Sequence, residues 1–195
     1  MPKQLSEIYV VSGLPRSGTS LMMQMLQAGG IPLFTDDARP ADNNNPRGYF
    51  EHSLVKTLPG RTDWLEQARG QAVKVISYLL PYLPDTFNYQ IIFMKRDLDE
   101  IIRSQNKMLM EFNQHDSNGD EALVAQEFRA HLQQVFTYCK EKKNIELRTI
   151  PFRDLIVNPM YWAKEVKTFL NLTLNVERMS REVAPHLYRN RTPYH

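Results

Sequence analysis

The fold of this chain is decided by the stretch Ile8-Tyr-Val-Val-Ser-Gly-Leu-Pro-Arg-Ser-Gly-Thr-Ser-Leu-Met-Met-Gln-Met-Leu26. Its first part, Ile8 to Ser12, is a short apolar run that ends at Gly13 and is typical of a buried parallel strand. From Ser17 to Leu26 apolar residues recur at helical spacing instead, and glycines at 29 and 30 end the helix. A strand, a glycine loop and a helix in direct succession predict the first unit of an α/β fold.

Strands and helices continue to alternate after this unit. The sequence predicts strands at residues 31–34, 72–77, 89–94 and 145–150. It predicts helices at 97–111, 121–143 and 159–170, with shorter helical segments across 51–69 that are interrupted near Pro59. Polar loops are expected at 36–47 and 114–120. We therefore predict an α/β fold of P-loop type, with a mainly parallel sheet flanked by helices, as a single domain over residues 1–195.

The composition is that of an ordinary globular protein. The chain has 195 residues, of which 42% are hydrophobic and 24% charged, and its net charge is +2. These values exclude a disordered tail, a collagen-like fibre and a disulfide scaffold. The charge balance gives no support for binding to nucleic acid or to an anionic membrane. No apolar segment approaches the ~18 residues of a membrane span, so we expect a cytoplasmic protein.

The cysteine and histidine content argues against a metal centre. The single cysteine, Cys139, lies in an apolar-periodic stretch and is expected to pack in the core. The five histidines are scattered along the chain without the paired spacing of a zinc site. We therefore expect no bound metal.

The loop between the first strand and the first helix carries the chemistry, and it reads Gly13-Leu-Pro-Arg-Ser-Gly-Thr-Ser20. Its glycines allow the backbone to turn tightly and to approach a ligand closely. Free backbone N–H groups at the helix start, aided by the helix dipole, form a site for an anion. Further donors come from the side chains of Arg16, Ser17, Thr19 and Ser20. The loop therefore predicts a cradle for a phosphate or sulfate group.

This loop differs from the phosphate-binding loop of nucleoside triphosphatases. That pattern, G-x-x-x-x-G-K-(S/T), requires a lysine directly after its second glycine. Here the same position holds Thr19, and the cation has moved to Arg16, before Gly18. ATP hydrolysis in the usual manner is not expected, and a P-loop kinase acting on a small molecule is the less favoured alternative.

The loop resembles that of the sulfotransferase family, whose members use 3′-phosphoadenosine 5′-phosphosulfate (PAPS). The family loop reads P-(K/R)-(S/T)-G-T-(S/T), and residues 15–20 match it at every position. The family fold is a parallel sheet flanked by helices, with this loop after the first strand. The resemblance implies PAPS as co-substrate and 3′-phosphoadenosine 5′-phosphate (PAP) as product. It also implies that the phosphosulfate is bound by Pro15, Arg16, Ser17, Gly18, Thr19 and Ser20.

A second match concerns the 3′-phosphate of PAPS. The family places an arginine at a strand end and a serine eight residues later, in the arrangement R-x-x-x-D-x-x-x-S. Arg96, Glu100 and Ser104 fit this arrangement, with glutamate in place of the aspartate. Arginine suits the role because its guanidinium presents a fixed fork of donors to phosphate. Taken alone, the pattern also describes a surface arginine and a helix-facing serine.

Three further positions resemble the family more weakly. Lys74 aligns with the family lysine that faces the transferring sulfuryl group, but the catalytic histidine two residues later is replaced by Ile76. Phe152 takes the place of a tyrosine near the adenine, although packing in the core is an alternative role. Arg189 and Arg191 resemble the tail that closes over the donor, or belong to a solvated tail.

The candidates for the base that would replace the missing histidine lie in the segment after the first helix. Asn45-Pro-Arg-Gly-Tyr-Phe-Glu51 resembles the stretch N-P-(K/R)-G-Y-(F/W/Y)-E of bacterial members, in which the glutamate acts as base. The resemblance implies Glu51 as general base with Lys74 as its electrostatic partner. His52 is the reserve candidate, and the remaining candidates in this segment are Asp36 and Asp37. Alternatively, Glu51 is a residue favoured at a helix N-terminus by the dipole.

The function that these residues favour is transfer of a sulfuryl group from PAPS to a hydroxyl or amine of a small-molecule or carbohydrate acceptor. The reaction is an in-line displacement that needs oriented cations, here including Arg16, more than covalent chemistry. The alternative is a protein that binds PAP or PAPS without catalysis, which the isoleucine at position 76 favours.

Overall fold

The computed structural model of the protein describes residues 7–36, 48–111 and 121–184. Within these ranges it forms a four-stranded sheet in the order β2-β1-β3-β4, and every neighbouring pair of strands is parallel. The strands are β1 (Glu7–Gly13), β2 (Ala72–Lys74), β3 (Asn88–Lys95) and β4 (Ile145–Pro151). The predicted α/β class with a parallel sheet is confirmed.

The register brings the chemistry-bearing ends of the strands to one edge. Gly13 is paired with Met94 in the β1–β3 ladder, and Val11 is paired with Lys74 in the β1–β2 ladder. The loop after β1, the lysine that ends β2 and the arginine that follows β3 therefore share the carboxyl edge of the sheet. In open α/β sheets this edge is the place where ligands bind.

Helices cover both faces of the sheet. The α-helices are α1 (Thr19–Gly29), α2 (Leu98–Glu111), α3 (Glu121–Glu141), α4 (Phe152–Val157), α5 (Pro159–Leu170) and α6 (Val176–Arg181). One core forms where α1, α5 and α6 pack on one face, with Met22, Val166 and Met179 buried in it. The other face packs against α3, whose Cys139 is buried as predicted. Burial raises the pKa of this thiol to about 11.

Several predicted elements are shorter in the structure. Residues 31–34 do not form a strand: only Leu33 bridges to Ala72, next to Pro32, which has no N–H to donate to a ladder. The strand predicted at 72–77 ends at Lys74, and Ser77–Tyr82 is a 3-10 helix. The helical segments predicted across 51–69 are two 3-10 helices of a single turn or little more, Ser53–Thr57 and Asp63–Glu66.

The first helix begins two residues later than the sequence pattern predicts. It starts at Thr19 because Arg16 and Gly18 adopt positive φ angles of 69° and 101°, which are incompatible with a right-handed helix. At its other end Gly30 is left-handed and its N–H donates to the carbonyl of Gln27, which closes the helix. The loop therefore keeps a non-helical backbone up to the residue that caps α1.

Neither a membrane-spanning helix nor a metal-binding cluster occurs in the described ranges. No helix in residues 7–36, 48–111 and 121–184 is long and apolar enough to cross a membrane. In the same ranges no three histidine, cysteine, aspartate or glutamate side chains lie close enough together to hold a metal ion.

Candidate active site

The glycine loop is held in one conformation by contacts that leave no room for larger residues. Gly13 has a φ of 150°, and a Cβ there would lie 2.4 Å from Ser17 Oγ and 2.7 Å from the carbonyl oxygen of Met94. Gly18 has a φ of 101°, and a Cβ there would lie 2.3 Å from Cδ2 of Phe152. Both the backbone conformation and the close neighbours therefore require glycine at these two positions.

The loop leads into a helix end suited to an anion. Gly18 is the N-cap residue of α1 and supplies no capping side chain, so the first N–H groups of the helix are not capped from within the loop. The first turn also holds no acidic residue. Thr19 is nearly buried in this turn, whereas Ser20 is partly exposed and its hydroxyl accepts a hydrogen bond from Lys74 Nζ at 3.3 Å. The positive end of the helix dipole therefore faces the carboxyl edge of the sheet.

Ser17 does not face the open side of the loop. Its side chain is fully buried, its backbone N–H donates to the carbonyl of Leu14 at 3.1 Å, and its hydroxyl has no hydrogen-bond partner among the described residues. Pro15 lies in the turn just before it. Of the predicted loop donors, the backbone at Gly18 and the side chains of Arg16 and Ser20 are thus the accessible part.

The two predicted phosphate-binding motifs meet at Arg16. Its Nε donates to the hydroxyl of Ser104 at 3.0 Å, although 88 residues separate the two in the chain. Its carbonyl accepts a hydrogen bond from Arg96 Nη1 at 3.0 Å. Ser104 is almost completely buried. The structure thus brings the loop cation, the arginine after β3 and the serine on α2 into one connected group.

The Arg96 guanidinium is fixed on three sides. Its Nε donates to Glu100 Oε2 at 2.9 Å, and the two side chains are only 10% and 2% exposed. Its plane lies over the ring of Phe152, with 4.7 Å between Cζ and the ring centroid. Glu100, the acidic residue of the predicted motif, therefore holds the arginine in place. The backbone N–H of Glu100 donates to Asp97 Oδ1 at 3.1 Å, which caps the start of α2.

Phe152 has a packing role in the described structure. Its ring lies against Gly18 and beneath Arg96, and it belongs to the buried core beside α1. This arrangement explains how the residue supports the glycine loop. A role in stacking on the adenine remains a prediction.

A second polar group surrounds Lys74 at the end of β2. Its ammonium donates to the carbonyl of Tyr49 at 2.8 Å and to Glu51 Oε1 at 3.2 Å, in addition to Ser20. The Lys74 side chain is 7% exposed and that of Glu51 is 31% exposed. Three oxygens fix the orientation of this buried amine, which joins the glycine loop to the segment that carries the predicted base.

The segment that carries Glu51 has a strained backbone next to it. Phe50 adopts a φ of 55°, which is uncommon for a residue with a side chain and is found most often where the surroundings impose it. Tyr49 is buried before it, and the Glu51 carbonyl accepts a hydrogen bond from the hydroxyl of Thr35 at 3.0 Å. These contacts hold the Glu51 carboxylate near Lys74.

His52 and Asp36, the other candidate bases, serve a local structural purpose. His52 Nδ1 accepts a hydrogen bond from the N–H of Leu54 at 3.2 Å and so caps the 3-10 helix Ser53–Thr57. Its ring stacks on Phe34 with 4.2 Å between centroids. Asp36 Oδ2 accepts from the N–H of Ser53 at 2.8 Å. Both side chains thus accept hydrogen bonds from the first N–H groups of this 3-10 helix.

Some predicted positions lie outside the described residues. They are Asp37, Arg189 and Arg191.

A histidine that the sequence did not point to lies beside the same edge. His131, on α3, has its Nε2 2.9 Å from the hydroxyl of Ser77, and its ring stacks on Tyr78 with 3.7 Å between centroids. Burial lowers the pKa of this imidazole. Ser77 directly follows Ile76, the position at which the family has its histidine. No local motif signals this pair, because 54 residues separate its members.

Comparisons with known proteins bear on the fold. No family model matches the sequence, and no curated protein matches it either. Among solved structures, the sulfotransferase domain of the olefin synthase from Synechococcus PCC 7002 has a TM-score of 0.56, with 14% identity over 91% of this chain and 77% of that one. The sulfotransferase domain from the curacin biosynthetic pathway also has a TM-score of 0.56, with 18% identity over 89% of this chain and 77% of that one.

A third structure is the mouse sulfotransferase SULT7A1 complexed with PAP. Its TM-score is 0.50, with 17% identity over 91% of this chain and 62% of the mouse chain. Identities this low show the fold alone. The described residues therefore form an α/β domain of the sulfotransferase fold, as the loop motif predicts.

Proposed function

We propose that this protein is a PAPS-dependent sulfotransferase. The observation that supports this most directly is the convergence of Arg16, Lys74 and Arg96 at the carboxyl edge of the sheet, around an uncapped helix N-terminus. Such an arrangement suits a ligand with more than one phosphate or sulfate group. The fold shared with sulfotransferase domains agrees with this reading.

In this proposal the donor lies across the two polar groups. The loop from Arg16 to Ser20 and the helix N-terminus bind the 5′-phosphosulfate, while Arg96 and Ser104 bind the 3′-phosphate. The contact between Arg16 and Ser104 implies that the loop cation lies between the two anionic ends of the nucleotide. Arg16 then stabilises charge at the 5′ end as the sulfuryl group leaves.

The chemical step is an in-line displacement at sulfur. The acceptor oxygen or nitrogen forms a bond to sulfur, the bond from sulfur to the bridging oxygen of the phosphosulfate breaks, and PAP leaves with the electron pair. Glu51 takes the proton of the acceptor, and Lys74 faces the charge that develops on the transferring group. The ion pair between the two, at 3.2 Å, keeps both at one position before an acceptor arrives.

The alternative is a protein that binds PAP or PAPS without catalysis. The observation that favours it is Ile76 at the position of the family's histidine. The Glu51–Lys74 pair favours the enzyme, because it places a carboxylate beside the lysine at the end of β2.

A ligand titration tests the proposal. PAP is expected to raise the melting temperature of the protein in a concentration-dependent manner, since a ligand bound only by the native state stabilises it by mass action. ATP with magnesium is expected to give a much smaller shift. Stabilisation by ATP but not by PAP would contradict the proposal and favour a kinase. Stabilisation by PAP with no consumption of labelled PAPS across a pool of hydroxyl and amine acceptors would favour the non-catalytic alternative.

A further inference from the structure

The cluster of Ser77, Tyr78 and His131 has no role in the site described so far. Ser77 is completely buried, and its hydroxyl lies 2.9 Å from His131 Nε2. The His131 imidazole is partly exposed and stacks nearly parallel to the Tyr78 ring, with an interplanar angle of 10°. Tyr78 itself is 43% exposed. The imidazole is thus fixed in orientation by one hydrogen bond and one ring contact, while part of it faces outward.

Two observations relate the position of this imidazole to the elements that carry the proposed transfer site. Phe128, one turn before His131 on α3, is buried in a cluster with Leu14 of the glycine loop. Ser77 follows Lys74 by three residues at the carboxyl end of β2, where the intervening Ile76 is extended. Helix α3 therefore spans from the glycine loop to the end of β2. At roughly 3.3 Å per extended residue, Ser77 lies on the order of 10 Å along the chain from Lys74.

The hydrogen bond to Ser77 bears on which ring nitrogen of the neutral His131 imidazole carries the proton. A buried hydroxyl that only accepted from Nε2–H would leave its own proton without an acceptor, because no other described residue bonds to it. In the arrangement in which the hydroxyl donates to Nε2, the ring proton is carried by Nδ1. No described residue accepts a hydrogen bond from this Nδ1–H.

We propose that His131 is a further acceptor-binding residue, whose Nδ1–H donates a hydrogen bond to an oxygen of an uncharged hydroxyl-bearing acceptor. The inference rests on the proposed function, since it places this oxygen beside the carboxyl edge of the sheet, where the donor is proposed to bind. Tyr78 adds an aromatic wall next to the imidazole, which suits a ring-shaped phenol or sugar. His131 fixes the acceptor, and Glu51 remains the residue that takes its proton.

Nuclear magnetic resonance of the imidazole tests the tautomer and the contact. Protein labelled with ¹⁵N at histidine is saturated with PAP and titrated with 2-naphthol or methyl β-D-glucopyranoside, and the His131 signals are assigned from the His131→Phe variant. We expect a protonated Nδ1 in the free protein and a shift of its signal with at least one of the two probes. A protonated Nε2, or no response of His131 to either probe in the PAP complex, would overturn the inference.

Steady-state kinetics with the same probes gives a second readout. His131→Phe keeps a ring against Tyr78 but leaves the buried Ser77 hydroxyl unpaired, so the variant to use is Ser77→Ala/His131→Phe, in which both partners are removed. We expect its KM for the acceptor to rise about 10-fold, the effect of losing one hydrogen bond of ordinary strength. The affinity for PAP should stay within about twofold, and Gln133→Ala, an exposed position on the same helix, should change neither value.

The outcomes separate this inference from the proposed function. Absence of stabilisation by PAP in the unaltered protein would overturn the proposed function, and the inference with it. Normal stabilisation by PAP, together with an unchanged KM in the double variant, would overturn the inference alone.

Discussion

Lys74 Nζ lies 3.2 Å from Glu51 Oε1 and 2.8 Å from the carbonyl oxygen of Tyr49, so the last residue of β2 holds the segment at residues 49–51. The same amine contacts Ser20 on the first turn of α1. One lysine therefore connects the glycine loop with the carboxylate proposed as base. This arrangement ties the position of Glu51 to the position of the donor loop.

Replacing Glu51 with Gln should lower turnover by about 10²-fold or more, the usual scale for losing a general base, while the affinity for PAP is retained. The amide keeps the shape of the side chain but cannot accept the acceptor's proton. Turnover of labelled PAPS and a PAP titration by thermal shift are the two measurements, with Glu177→Gln on the exposed side of α6 as the matched control. If turnover survives in Glu51→Gln but is lost in His52→Ala, the base is His52.

Replacing Arg16 with Ala should weaken both PAP binding and turnover without unfolding the protein. The guanidinium contacts Ser104 and contributes a charge at the loop, so we expect at least about a 10-fold loss of affinity, as for a hydrogen bond to a charged group. Arg16→Lys is the control, because it keeps the charge and loses the fork of donors. Full activity in Arg16→Ala would contradict the assignment of the phosphosulfate to this loop.

Arg96 and Ser104 should matter more for PAP than for adenosine 5′-phosphosulfate, which lacks the 3′-phosphate. Arg96→Ala alone would break the ion pair with the buried Glu100 carboxylate, and breaking a buried pair by removing one partner costs about 3–5 kcal/mol. The informative variants are therefore Arg96→Met/Glu100→Gln and Ser104→Ala. Dissociation constants for the two nucleotides, measured by calorimetry, give the comparison. Equal losses for both nucleotides would show that these residues are structural.

The parts of the site that could be predicted from the sequence are those whose residues are contiguous or regularly spaced along the chain. Residues 15–20 form one contiguous motif, and Arg96, Glu100 and Ser104 are spaced along one strand end and the helix after it, so their positions follow once the elements are known. The four strands of the sheet were predictable for the same reason, because short apolar runs mark them, although the run at 31–34 forms only an isolated bridge. The 3-10 helices across 51–69 were not, since their composition resembles that of ordinary helices.

The remaining contacts depend on tertiary packing between distant parts of the chain. Phe152 fills the space beside Gly18, and His131 meets Ser77, across separations that no periodic pattern spans. The sequence likewise gave no sign that Ser17 would be turned inward or that His52 would cap a helix.

Replacing Gly18 with Ala should destabilise the protein and abolish PAP binding together. The residue has a φ of 101°, and the new Cβ would lie 2.3 Å from Phe152 Cδ2, so either the loop or the ring must move. A strained φ of this kind costs about 1–3 kcal/mol, before the clash is counted. Urea unfolding measures the loss. Gly60→Ala is the matched control, because no atom lies within 4 Å of a Cβ at that position. Equal stability of the two variants would contradict this account of the loop.

The Ser77–His131 pair should also make stability depend on pH below neutrality. Burial lowers the pKa of His131 in the folded protein from its ordinary value of 6.5. Between the lowered value and 6.5 the unfolded chain therefore binds more protons than the folded one at this residue, so the free energy of unfolding rises with pH across that window. The contribution of His131 to the free energy of unfolding is complete above pH 6.5 and is lost as the pH falls through the lowered pKa.

Urea unfolding at several pH values between 4.5 and 7.5 measures this dependence. The slope of the free energy of unfolding against pH should be smaller in Ser77→Ala/His131→Phe than in the unaltered protein, whereas Gln133→Ala should leave the slope unchanged. The same slope in the double variant as in the unaltered protein would show that His131 is solvated as freely in the folded state as in the unfolded chain.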